Sequence, residues 1–143
     1  MKASLFLRIA AIIGFVFGAG HSLGGPWTPA LGVAETALIN SMKSLQFTVM
    51  GASRTYWDFY FGFGLIISIY LFAQAFVLWQ VASIAKSSAQ QVRPIMLTLL
   101  ASYLVSGIVA FKFLFVVPEV MSIAIAACIA TAWVLAGREA EHV

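Results

Sequence analysis

Five ionisable side chains in this sequence stand where apolar runs begin or end, and their types suit chemistry. His21 closes the first apolar run, Arg54 and Asp58 open the second, Lys112 lies near the end of the third, and Glu119 begins the fourth. A carboxylate beside an imidazole holds one ring tautomer and tunes its basicity. His21 would then act as acid or base in proton transfer, with Asp58 orienting it and Glu119 as a second acid. Arg54 and Lys112 would hold an anionic group. Trp27, Tyr56, Trp57 and Tyr60 would wall a lipophilic pocket with ring surface and with hydroxyl and indole donors.

Position alone accounts for much of this set. Carboxylates at helix N-termini and cations at C-termini each gain roughly 0.3–1 kcal/mol from the helix dipole. Arg54 and Asp58 also form an i, i+4 pair, Lys112 can snorkel, and the rings suit an interfacial aromatic belt. Asp58 carries the case for a site, because it is read as lying one turn inside its helix. Ionisable groups within a span face protein or a watery cavity, since lipid exposure costs at least about 2.5 kcal/mol. Gly62, one turn deeper, leaves the carboxylate uncovered from below.

The elements that must position these residues follow from composition. Of 143 residues, 62% are hydrophobic and 9% charged, with a mean hydropathy of +1.00. Soluble domains carry about 25% charged residues, so the expected solvent is lipid. The net charge of +3 comes from scattered basic residues that form no patch, which excludes nucleic acid as a partner. Four apolar runs, at about 5–23, 56–84, 95–117 and 120–136, match or approach the ~20 residues that cross a bilayer. None alternates like a barrel strand, so each is expected to be a helix. The fold class expected is all-α, a single integral-membrane domain over 1–143, a four-helix up-and-down bundle.

Lys2, Arg8 and the small residues Gly18-Ala19-Gly20 give the first run some features of a secretory signal. Its length, the interruption at Arg8 and His21 at its end favour a retained span. Between the first two spans, Leu31, Leu38, Met42, Leu45 and Val49 recur at helical spacing, away from Glu35, Asn40, Lys43 and Gln46. This predicts an amphipathic helix at about 29–50, capped by Thr28, started by Pro29 and stopped by Gly51, lying on the membrane or over the bundle as a lid. Pro94 is expected to start the third span, and a tight turn around Pro118 to join the last two. Lys2, Arg8, Lys86, Arg93 and Arg138 on one side outnumber Lys43, Arg54 and Lys112 on the other. That places both termini in the cytoplasm, and the compact chain suggests a bacterial inner membrane. Up-and-down threading would bring His21, Arg54, Asp58, Lys112 and Glu119 to one depth.

Gly14, Gly18, His21 and Gly25 share a stripe, and Gly14 with Gly18 have the small-xxx-small spacing of a close helix contact. That face would serve a neighbouring helix or a second copy of the chain, and "SLGGPW" would end the helix at Pro26. Thr98, Ser102 and Ser106 read as helix packing, as do Tyr70 and Gln74. Cys128, alone, excludes a disulfide framework or a Cys-x-x-Cys motif and reads as a small packing residue. No internal repeat is visible, and no metal or cofactor is expected.

Several four-span designs fail on their own requirements. Small multidrug exporters need a carboxylate in the first span, vitamin K epoxide reductase-like proteins need paired cysteines, and cytochrome b-type bundles need two inward histidines. Here His142 falls in the tail, opposite His21. The arginine-rich second-helix motif of the glutathione- and eicosanoid-metabolising membrane proteins cannot be placed. "GHSLGG" followed by "RTYWDFYFGFG" resembles a group of small, functionally unassigned four-span bacterial membrane proteins, and the resemblance implies the fold without a reaction. A more distant similarity is to sterol-isomerase-like membrane bundles, which place a His and acidic residues among aromatics around a lipophilic substrate. Three roles remain: binding of a membrane lipid or lipophilic small molecule, proton-transfer catalysis at His21 and Asp58, and a structural part in a membrane complex.

Overall fold

The computed structural model describes residues 2–25 and 27–140; Pro26 and His142 lie outside them. The described chain is mostly helical. It runs α1 (Ala3–Leu23), α2 (Val33–Ser44), β1 (Gln46–Val49), β2 (Ala52–Thr55), α3 (Tyr56–Ser88), a 3-10 segment (Ala89–Val92), α4 (Arg93–Phe113) and α5 (Val116–Ala140). Two compact units emerge, Met1–Gly18 with Leu71–Val143, and Ala19–Tyr70.

In the first unit, α1 buries Ala3, Ser4, Leu7, Ala10, Ala11, Gly14 and Gly18. Steps of three and four put them on one face, and most are small, so another backbone can come close. A Cβ built on Gly14 would lie 3.4 Å from the Ala75 Cβ and 3.8 Å from the Tyr103 hydroxyl, and one on Gly18 would lie 3.2 Å from the Phe72 ring. The face expected to serve a neighbouring helix or a second copy thus packs on α3 and α4 of the same chain. Ala82, Ala85, Ala89, Ala126, Ala132 and Ala136 continue the small-residue core, with Leu7, Leu78, Met96, Ile125 and Ile129 as its largest fully buried side chains. Gly107 packs on Ser122 and Ile123, while Gly137 faces the Arg93 guanidinium. Outward faces are apolar instead, with Val105, Ile108, Phe111 and Phe113 largely exposed.

Among the described residues, three helical stretches are long and apolar enough to cross a membrane: Ala3–Leu23, Tyr56–Phe113 and Val116–Arg138. Four were expected. The second and third fall in one stretch of 58 residues, because "KSSAQQVRP" forms helix and 3-10 turn rather than a loop. A straight helix of that length would reach roughly 87 Å, nearly three times the hydrocarbon thickness. It is not straight throughout: Ser88, at φ −144° and ψ 52°, leaves the helical region. Pro94 sits in the first turn of α4 as expected, where a missing N–H costs nothing. The last turn comes earlier than Pro118. It lies at Leu114 and Phe115, and Pro118 falls inside the first turn of α5.

The second unit departs most from expectation. The amphipathic helix expected over 29–50 is only Val33–Ser44, with Gly32 rather than Thr28 before it. Gln46–Val49 instead pairs antiparallel with Ala52–Thr55, in the register Phe47 opposite Arg54 and Val49 opposite Ala52. The two-residue loop has positive φ at both positions, 49° at Met50 and 82° at Gly51. That is the backbone of a type I′ hairpin turn, whose twist matches the strands it joins. Gly51 thus closes a hairpin and does not stop a helix.

Candidate functional site

The second unit brings two of the expected pocket residues together. Trp27 and Trp57 line a pocket of about 290 Å³, with Thr28, Pro29, Ala30, Thr36, Ile39, Asn40 and Lys43. Each wall has a local cause. A Cβ on Gly25 would overlap the Trp27 indole, so only glycine lets that ring fold back. Its Nε1–H then donates to the Ser22 carbonyl at 2.7 Å. Thr36, Asn40 and Lys43, at i, i+4 and i+7, present one face of α2 to the cavity. Trp57 belongs to the first turn of α3. Lys43 Nζ lies 4.8 Å from the Trp57 ring centroid, within cation–π range.

Aromatic pairs hold this arrangement from both sides. Trp57 meets Tyr60 at 5.7 Å and Phe61 at 6.2 Å, and Trp27 meets Phe61 edge-on at 5.7 Å. On the other side of α3, the hairpin's Phe47 packs on Tyr56 at 5.0 Å and Phe59 at 5.1 Å. Tyr56 and Tyr60 are not among the pocket's lining residues: Tyr60 packs on Trp57 and Tyr56 on Phe47.

The ionisable residues expected at the site are placed as follows. Asp58 is the third residue of α3. Its carboxylate accepts the Thr55 N–H at 2.7 Å, and the Thr55 hydroxyl accepts the Asp58 N–H at 3.1 Å. This reciprocal pair is a capping box, so Asp58 sits at the cap and not one turn within a span. His21 Nε2 lies 3.1 Å from the Gly64 carbonyl. A carbonyl only accepts, so Nε2 carries the hydrogen. Ser22 follows with a 3.1 Å hydrogen bond to Ser68, one turn further along α3. The imidazole and the Asp58 carboxylate thus have different partners, Gly64 of α3 and Thr55 at the end of β2. Arg54 is exposed on β2 and donates to the neighbouring Ser53 carbonyl. Lys112 and Glu119 belong to the other unit. Lys112 Nζ lies 5.2 Å from the Phe113 ring, and Glu119 stands in the first turn of α5. Among the described residues, no group of three His, Cys, Asp or Glu side chains is placed to hold a metal.

Sequence reasoning missed Thr36, Asn40 and Lys43 as pocket residues. Their i, i+4, i+7 spacing was visible, but a polar helix face reads as solvated unless something stands opposite it. A wider depression of about 590 Å³ runs over Ala30–Gly32, Val33, Thr36, Ala37 and Asn40. It has neither a charged nor an aromatic side chain to fix a ligand. No protein-family model, curated protein or solved structure matches the chain, so its function rests on this geometry.

Proposed function

We propose that the chain is an integral membrane protein that binds a lipophilic molecule bearing an anionic group, in the pocket where Lys43 meets Trp57. The observation that carries this is the placement of an ammonium against an indole inside a cavity of about 290 Å³, close to the lower size of small-molecule sites. The two indoles offer apolar surface, Lys43 offers the counter-charge, and Asn40 and Thr36 offer polar contacts. Membrane insertion is supported by the three apolar stretches and by small residues inside with large apolar ones outside. The up-and-down threading is supported by contacts that descend along one helix as they ascend the other. Arg8 stacks on Trp79, Gly14 packs on Ala75 and Gly18 on Phe72, and Arg93 and Gly107 of α4 meet Gly137 and Ser122 of α5. In this reading the 3-10 segment is a reversal between two spans, the pocket lies at the outer face, and both termini are cytoplasmic in a bacterial inner membrane.

The test uses octanoate and octanol as probes, titrated calorimetrically against the protein in phosphatidylcholine nanodiscs with empty discs as blank. Octanoate binds, and Lys43→Gln weakens it roughly 10- to 150-fold, the worth of a charge-assisted contact at about 1.5–3 kcal/mol. Octanol binds weakly and is indifferent to that substitution. Equal affinity for both probes, or octanoate binding unchanged in Lys43→Gln protein of native circular dichroism, overturns the reading.

A further inference from the structure

The first unit has an apolar groove of about 260 Å³ on its outer surface, walled by Ala11, Ile12 and Phe15 of α1 and by Ala75, Phe76 and Trp79 of α3. Trp79 has a second role, because the Arg8 guanidinium stacks over its ring at 4.6 Å. One residue therefore joins an apolar trough to a cation at its end. Arg8 has no counter-charge nearby in the sequence: the five acidic residues of the chain are Glu35, Asp58, Glu119, Glu139 and Glu141, so residues 1–34 and 59–118 contain none. Its Nε is buried and has no hydrogen-bond partner among the described residues. A guanidinium held over an indole has fewer conformations to lose when its fork takes a phosphate. Arg8 is the sixth residue of α1, roughly 7.5 Å along the helix from its start, within reach of a headgroup by snorkelling.

We propose that this groove holds one acyl chain of an anionic phospholipid whose phosphate is taken by Arg8. The occupant follows from the charge pattern: an apolar groove ends in a cation whose Nε has no hydrogen-bond partner among the described residues. The inference rests on the membrane placement proposed above but is independent of the Lys43 pocket. Anionic surface lipid is worth enough per basic residue to enrich a site several-fold.

The experiment reconstitutes the full chain in vesicles of equal phosphatidylglycerol and phosphatidylcholine, extracts it gently and weighs the retained lipid by native mass spectrometry. Wild-type protein retains phosphatidylglycerol roughly five-fold over phosphatidylcholine. Arg8→Gln abolishes the preference, while Arg8→Lys, which keeps the charge but not the fork, restores part of it and so separates lost charge from lost fold. Phosphatidylglycerol brominated on its acyl chain quenches the fluorescence component that Trp79→Phe removes, and does so more than brominated phosphatidylcholine. Equal retention of the two lipids by wild type, or enrichment that survives Arg8→Gln, overturns the proposal. Enrichment lost on Lys43→Gln but not on Arg8→Gln also overturns it, by moving the lipid to the pocket. Failure of the protein to enter vesicles at all sinks the membrane reading first.

Discussion

The hairpin turn provides a test in which two neighbouring substitutions act in opposite directions. Met50 is a non-glycine residue at φ 49°, followed by Gly51 at φ 82°. The left-handed region costs an ordinary L-residue roughly 1–2 kcal/mol, and asparagine much less. Met50 is fully exposed at 102%, and a Cβ on Gly51 would meet nothing within 4 Å. Neither change therefore makes or loses a packing contact, and the backbone term stands alone. Met50→Asn creates the Asn-Gly pair that type I′ turns favour and should stabilise the closed hairpin by up to that amount. Gly51→Ala should destabilise it similarly. Two-stranded ribbons are marginal, so the hairpin opens locally, and amide hydrogen exchange over 46–55 reads the opening equilibrium. One to two kcal/mol corresponds to roughly a five- to thirty-fold change in exchange rate, slower for Met50→Asn and faster for Gly51→Ala. Faster exchange in Gly51→Ala should extend into the first turn of α3, because Phe47 packs on Tyr56 and Phe59. If both variants exchange at the wild-type rate, the loop does not need positive φ, and the pairing drawn from it is wrong.

Two further outcomes follow from packing. Gly25→Ala should expel the Trp27 indole from the pocket wall, because the added Cβ overlaps the ring; octanoate affinity should then fall to that of Trp27→Ala, and an unaltered affinity would remove Trp27 from the site. Leu78→Ala, at a fully buried position, should lower stability in denaturant titration of the detergent-solubilised protein by roughly 2–5 kcal/mol, whereas Ile108→Ala, 68% exposed, should stay within about 0.5 kcal/mol.

The helices were legible in the sequence where one physical requirement acted alone. The runs that became α1 and α5 are long and mostly apolar, Arg8 and His21 apart in the first, and no strand-like alternation competes with the helix over them. Element ends were less legible, because they depend on which of two compatible patterns wins. Leu45 and Val49 continue the helical spacing of Leu38 and Met42. Over the same stretch, Gln46-Phe47-Thr48-Val49 alternates as a strand does. Four residues cannot separate periods of 3.6 and 2. The turn decides it, and Met50-Gly51 is a weaker hairpin signal than Asn-Gly. The second and third runs fall in one apolar stretch for a related reason. Polar residues around Ser88 look like a loop, yet a 3-10 segment reverses or bends a chain without leaving helical hydrogen bonding.

The candidate site was misread at Asp58, and the reason bears on what remains to bind a ligand. Taking the helix to begin before its apolar run made Asp58 a buried-span charge, whereas Thr55-x-x-Asp58 was already a capping signature. Other polar side chains of the second unit are engaged in the same local way. Glu35 accepts the Leu31 N–H, Thr36 donates to the Gly32 carbonyl, and Thr28 donates to the Gly25 carbonyl. His21 and Ser22 are engaged with Gly64 and Ser68 of α3. Several of the chain's polar side chains thus satisfy backbone groups where elements begin. Asn40 and Lys43 stand apart. They lie mid-helix or later in α2, where no N-terminal N–H needs them, and both line the pocket beside Trp57. Residue economy therefore favours the proposed ligand: the carboxylates and hydroxyls named above are engaged locally, whereas Asn40 and Lys43, the latter in the last turn of α2, face the cavity.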